Sequence, residues 1–136
     1  MIISRTFDVQ AVRKILTHPV IWKAVSDPGQ DIGAFIPPVD DCIYLIDNKQ
    51  IGLFIVHLDA EGWSCHVQVL PEHRESLALE FGKKVIQWIW DNTEIDRLIA
   101  SIPEAYPNVK RFSETQGFTD YGKKDSEWLI EVKRGV

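Results

Sequence analysis

The sequence predicts a single mixed α/β domain over residues 1–136, with six or seven strands and about four helices. Three observations predict it. Some apolar stretches alternate with period 2 or run continuously over strand lengths, others recur at helical spacing, and clusters of Gly, Pro, Asp and Asn separate them. No internal repeat, low-complexity tract or linker interrupts the series.

Met1 to Phe7 alternates apolar and polar residues and reads as a strand, and Asp8 is a good N-cap for a helix through Ile15 and Leu16. His18-Pro19 stops that helix. Ile21, Trp22 and Val25 then carry helical spacing over a short second helix, which Asp27-Pro28-Gly29 ends, and residues 29–38 are expected as a loop. From Cys42 to Ile46 and from Ile51 to Val56 the chain is apolar on both faces around the turn Asp47 to Gln50, so this hairpin must be covered by helices. Trp63 to Leu70 is a further strand, with Trp63, Cys65, Val67 and Val69 on one face and His66 and Gln68 on the other. A long helix is expected from about Arg74 to Asp91, its stripe of Leu77, Phe81, Val85 and Trp88 broadened by Leu79, Ile86, Ile89 and Trp90. Ile95 to Ile102 is a strand closed by Pro103, Pro107 opens a helix that ends at Gly117, and Trp128, Ile130 and Val132 alternate along a last strand.

Composition limits what such a domain does. With 45% hydrophobic residues, five Trp and six Phe, the chain can bury roughly two-thirds of its unfolded surface and needs no disulfide or metal to hold a core. Cys42 and Cys65 sit inside apolar runs without metal-type spacing, which reads as reduced thiols and a cytoplasmic location. No run approaches the roughly 18 apolar residues of a membrane span, and the first residues lack a signal-peptide layout. A soluble protein without a membrane partner is expected. Twenty acidic against fifteen basic residues, a net charge of −5, argue against nucleic acid as a partner. The pairs Lys110-Arg111, Lys123-Lys124 and Lys133-Arg134 are expected as solvated surface.

The segment from His66 to Gly82 carries the functional signal. A strand, a Pro turn, an Arg and the start of an amphipathic helix build an anion site, because the first N–H groups of a helix lack internal partners and face the positive end of its dipole. A phosphate-bearing ligand follows.

The order of elements, with Val67-Gln-Val-Leu-Pro-Glu-His-Arg74 leading into the long helix and the helix from Asn108 closing on Gly117-Phe118, resembles the GNAT acyl-CoA N-acyltransferase superfamily. Within it the chain is most similar to the short members that bacteriophages encode, which would place it in the host cytoplasm. The resemblance implies a mixed, mostly antiparallel sheet splayed in the middle. It implies acetyl-CoA as cofactor, the pantetheine pairing with the backbone of Val67, Gln68 and Val69 and the pyrophosphate lying over Arg74, Glu75, Ser76, Leu77, Ala78 and Leu79. It implies an amine of a small molecule or a protein as acceptor, and a homodimer is compatible with it. The family's acid position falls on Ser113, a poor proton donor to a thiolate. Its cofactor-contacting Asn position falls on Tyr106, with Asn108 two residues further on, and either could serve. Leu77 and Leu79 replace small residues of the family's phosphate loop, and Glu75 adds a negative charge there.

Acyl transfer to an amine needs a base, and His66 is the candidate by residue type and position, either as base or as water relay; the alternative is a histidine hydrogen-bonded within the sheet. Glu72 and His73 read as solvated loop residues, Glu104 as a possible amine contact, and Trp22 as core or as the lining of an acceptor pocket. Cys65 and His66 point to opposite faces, which excludes a metal site built from both with His57 and His73. Two functions follow: an acetyl-CoA-dependent N-acetyltransferase, or a binding or assembly protein that keeps the fold, with a protein partner and without the chemistry.

Overall fold

A computed structural model describes residues 1–135. Its sheet contains β1 (Ile3–Arg5), β2 (Ile43–Asp47), β3 (Gly52–Asp59), β4 (Gly62–Val69), β5 (Arg97–Pro103), β6 (Thr119–Lys124) and β7 (Glu127–Lys133), in the spatial order β1-β2-β3-β4-β5-β7-β6. Every neighbouring pair is antiparallel except β4 and β5. Parallel neighbours need a crossover, and the helix α3 (Ala78–Asn92) supplies it. The other helices are α1 (Val9–Leu16), α2 (Pro19–Val25) and α4 (Pro107–Thr115).

The two-sided apolar hairpin is covered as its pattern demands. Leu45, Phe54 and Val56 face Phe81, Val85 and Ile89 of α3, together with Leu98 and Ile130. Tyr44, Ile46 and Leu53 face the opposite way, onto Val12, Ile15 and Leu16 of α1 and Ile21 of α2. Alternation along β2 and β3 thus divides the core into one cluster per sheet face. Asp8 caps α1 by accepting from Gln10 N–H at 2.9 Å and Ala11 N–H at 3.3 Å.

Several elements differ from their sequence pattern. Helix α3 begins at Ala78, not near Arg74: residues 71–73 form a 3-10 turn and 74–77 continue as turns. Leu77 precedes the helix and packs on the core, while Leu79 is 47% exposed. The buried stripe is accordingly Ala78, Phe81, Gly82, Val85, Ile86 and Ile89, with Trp88 and Trp90 on its margins. Strand β1 is shorter than its alternation suggests, because Thr6 Oγ1 accepts from Asp8 N–H and turns the chain toward α1. Strand β3 runs on to Asp59. The basic pairs are not merely solvated: Lys110 reaches Asp120 at 3.1 Å and lies over the Trp128 ring, holding α4 to β6 and β7.

Candidate active site

Strands β3 and β4 stay in register from Gly52 opposite Val69 to Asp59 opposite Gly62. Strands β4 and β5 share one registered pair, Ser64 opposite Ile99, and then separate. Leu70 N–H bonds to Ile51 C=O across β3 at 2.9 Å, so alternation turns the backbone of Gln68 and His66 toward β3 and that of Val67 and Val69 toward the opening. Val69 C=O is taken by Arg74 Nε at 2.9 Å. Val67 N–H and C=O are left facing a gap without a registered partner on β5.

Two clefts meet at this gap. One, of ≈ 180 Å³, lies between β4, β5 and the helices α3 and α4, with Val67, Gln68, Gly82, Phe112, Ser113 and Gln116 among its walls. The other, of ≈ 350 Å³, lies on the opposite sheet face and includes His57, Asp59, Ser64, Tyr121 and Glu127. Consecutive residues of β7 separate them, Ile130 lining the first and Leu129 the second. His66, Ala100 and Ser101 line both.

His66 therefore stands at the junction. Its Nε2 lies 3.3 Å from His57 Nε2, the rings nearly coplanar in orientation, so the two imidazoles share one hydrogen bond whose direction depends on tautomer. The ring keeps contact with solvent, yet the cleft walls desolvate it, and this lowers its pKa below the ordinary histidine value. A charge on His57 lowers it further, and Asp59 opposes both. Asp59 accepts from Ser64 Oγ at 2.5 Å and from the N–H groups of Glu61 and Gly62. Those bonds, the one from Ser64 foremost, hold its carboxyl below the usual range, so it is ionised at neutral pH. Cys65 also lines the first cleft, but burial pushes its thiol up to about 12 and leaves it unreactive near neutral pH.

The remaining candidates fall in different places. Glu75 and Ser76 are exposed turn residues, and Ala78 starts α3. The N–H groups of Ser76, Ala78, Leu79 and Glu80 have no partner among the described residues. Arg74 folds back onto β4 through Nε, as does no other candidate. Ser113 lines the first cleft, but its hydroxyl donates to Val109 C=O at 2.9 Å. Asn108 is exposed on α4 and accepts from Arg111, and Tyr106 is exposed before α4, so neither borders the clefts. Glu104 pairs with Lys123 at 2.8 Å, and Trp22 packs on Phe35 with ring centroids 5.3 Å apart. Glu72 is exposed.

Residue types alone did not single out His57, Asp59, Ser101 or Gln116. His57 and Asp59 are brought to His66 by hairpin register, a pairing legible only once the turn at 59–62 fixes which residues oppose.

No protein-family model matches the sequence, and no curated protein matches it. Solved structures do. The aminoglycoside enzyme AAC(6')-Ib, held with paromomycin and acetyl-CoA, superposes with a TM-score of 0.73 at 10% identity over 97% of this chain and 92% of that one. The fold is that of the GNAT acetyltransferases. A spermidine N-acetyltransferase chimera of the Vibrio cholerae enzyme and hSSAT gives a TM-score of 0.71 at 9% identity, covering 97% and 94%. A Methanocaldococcus jannaschii domain gives 0.64 at 16% identity, covering 97% of each. The opened β4–β5 pair of this chain is thus part of a GNAT fold, in a mostly antiparallel seven-stranded sheet.

Proposed function

We propose that the chain is an acetyl-CoA-dependent N-acetyltransferase acting on an amine of a small molecule or a protein. One observation carries this reading: two clefts on opposite sheet faces meet at His66, Ala100 and Ser101 through the opened β4–β5 pair. A donor and an acceptor entering from opposite faces would meet there.

The residues fit the cofactor. Val67 presents N–H and C=O to an extended amide arm in the manner of an added strand. The free amides of Ser76, Ala78, Leu79 and Glu80 suit phosphate oxygens. Leu77 turns into the core and Leu79 outward, so neither aliphatic chain has to cover those amides. The cofactor, when bound, supplies an acetyl group activated as a thioester.

The chain's own residues supply the rest. His66, neutral at pH 7 because its pKa is lowered, would take a proton from the substrate ammonium at Nδ1, the ring nitrogen not engaged by His57, so that the freed amine could attack the thioester carbonyl. The proton the amine nitrogen sheds on acylation would go to the departing thiolate. The His66 Nε2–H then donates to His57 Nε2, and the ionised Asp59 stabilises the charge on the pair. Ser113 holds its proton on Val109 C=O and contributes no acid.

Calorimetry with acetyl-CoA tests the reading. Binding at 100 times the dissociation constant should add about 2.7 kcal/mol of stability; no heat and no thermal shift at millimolar cofactor would remove it.

A second reading, a binding or assembly protein that keeps the fold without catalysis, has specific support in Arg74 folded onto Val69, Asn108 turned from the clefts, and Ser113 bonded within α4. A phage-encoded chain could use such a role, with a host protein or a second copy as partner. Capture of that partner without cofactor, undiminished by His66→Ala, would favour it.

A further inference from the structure

We propose that Gln116 positions the pantetheine arm of coenzyme A by hydrogen bonds from its side-chain carboxamide, in the cleft that Val67 also lines. The inference rests on the cofactor reading above and adds a residue to it. Gln116 caps the C-terminus of α4, and both its Nε2 and Oε1 are buried without a protein partner among the described residues. They are the only buried side-chain polar atoms so placed among those residues. A donor and an acceptor withdrawn together from the surface carry a standing cost unless something bonds to them.

The geometry holds this carboxamide in place. Gly117 at φ 99° turns the chain, and Phe118 N–H bonds back to Ser113 C=O at 3.2 Å. Phe118 is buried in the core and anchors the turn. Gln116 then lies against α3 at Gly82, where a Cβ would stand 2.7 Å from Oε1 and 3.2 Å from Nε2. The missing side chain at Gly82 is what lets the carboxamide seat there.

The chemistry specifies the occupant. Gln116 and Val67 line the same cleft. An extended chain of secondary amides in that cleft has backbone N–H and C=O available at Val67 and an unpartnered carboxamide donor and acceptor at Gln116. The pantetheine arm carries two such amides, so it can accept from Nε2–H at one and donate to Oε1 at the other.

The test compares the intact wild-type chain with Gln116→Met, of similar volume and without the orphaned polar atoms. Titration calorimetry uses coenzyme A and, separately, its adenosine bisphosphate fragment, which lacks the amide arm. Gln116→Met should weaken coenzyme A about tenfold or more, the equivalent of one hydrogen bond, leave the fragment's affinity unchanged, and melt no lower than wild type. Gly82→Ala, which displaces the carboxamide, should show the same selective loss. Equal coenzyme A affinity in wild type and Gln116→Met overturns the inference and leaves the cofactor reading standing. A lower melting temperature with parallel loss of both ligands assigns Gln116 a structural role and also overturns it. Failure of the wild-type chain to bind coenzyme A removes both.

Discussion

Asp47 shows how much one side chain can organise. It is 2% exposed, and it accepts from the N–H groups of Lys49 at 3.0 Å, Ile51 at 2.8 Å and Gly52 at 3.2 Å. The β2–β3 turn is therefore built around a carboxylate. Asp47→Ala strands three donors in or near the core and should cost about 3 kcal/mol in chemical denaturation. At His66 the expectation concerns proton balance. Its folded pKa lies below the ordinary 6.5, so the unfolded chain binds the proton more readily. His66 thus makes no difference to stability well above that value and subtracts from it as the pH falls through it. Thermal melts should fall more between about pH 7.5 and about pH 5 for wild type than for His66→Gln. As a base, His66 should place the acidic limb of kcat/KM below pH 6.5, and His66→Ala should lower kcat roughly a hundredfold or more.

Among elements, α3 links core and candidate site. Its inward stripe holds Phe81, fully buried between α3 and the sheet, and Phe81→Ala should cost about 3 to 5 kcal/mol in denaturant unfolding. Its start offers unpartnered amides, but Glu75 stands in the turn before it. A carboxylate near bound phosphates repels by roughly 1 kcal/mol where water screens it. Glu75→Gln should therefore tighten coenzyme A several-fold at low salt, with the gain shrinking as ionic strength rises in the same titration. Unchanged affinity would place the phosphates elsewhere.

At the scale of the molecule, the opening of β4 from β5 gives the fold its two connected clefts. A ligand spanning Val67 and the start of α3 touches a strand and the helix that follows it. Amide hydrogen exchange should slow together at Val67 and at Ala78 to Glu80 when coenzyme A is added, while the exposed edge strand β6 stays unchanged. Protection at one of the two places alone would break the idea of a single spanning ligand. No helix among the described residues is long and apolar enough to cross a membrane.

What the sequence determined by itself was local. Period-2 and period-3.6 patterns, the Asp8 cap, Pro19, Pro107 and the Gly117 turn place most elements, because each rests on contacts a few residues apart. Strand β6 escaped that reading in part: Thr119 to Lys124 is exposed at every position and has no apolar face to alternate, so pairing with β7 is what makes it a strand. Helix α3 starts later than its composition indicates for a similar reason. Residues 74–77 have helical composition, yet Arg74 bonds back to Val69 and Leu77 is drawn into the core. Only the tertiary structure decided that His57 and Asp59 reach His66, that Asn108 turns away, and that Gln116 is enclosed against Gly82. Those relations depend on register across strands and on how α4 sits against α3, distances that no spacing along one segment encodes.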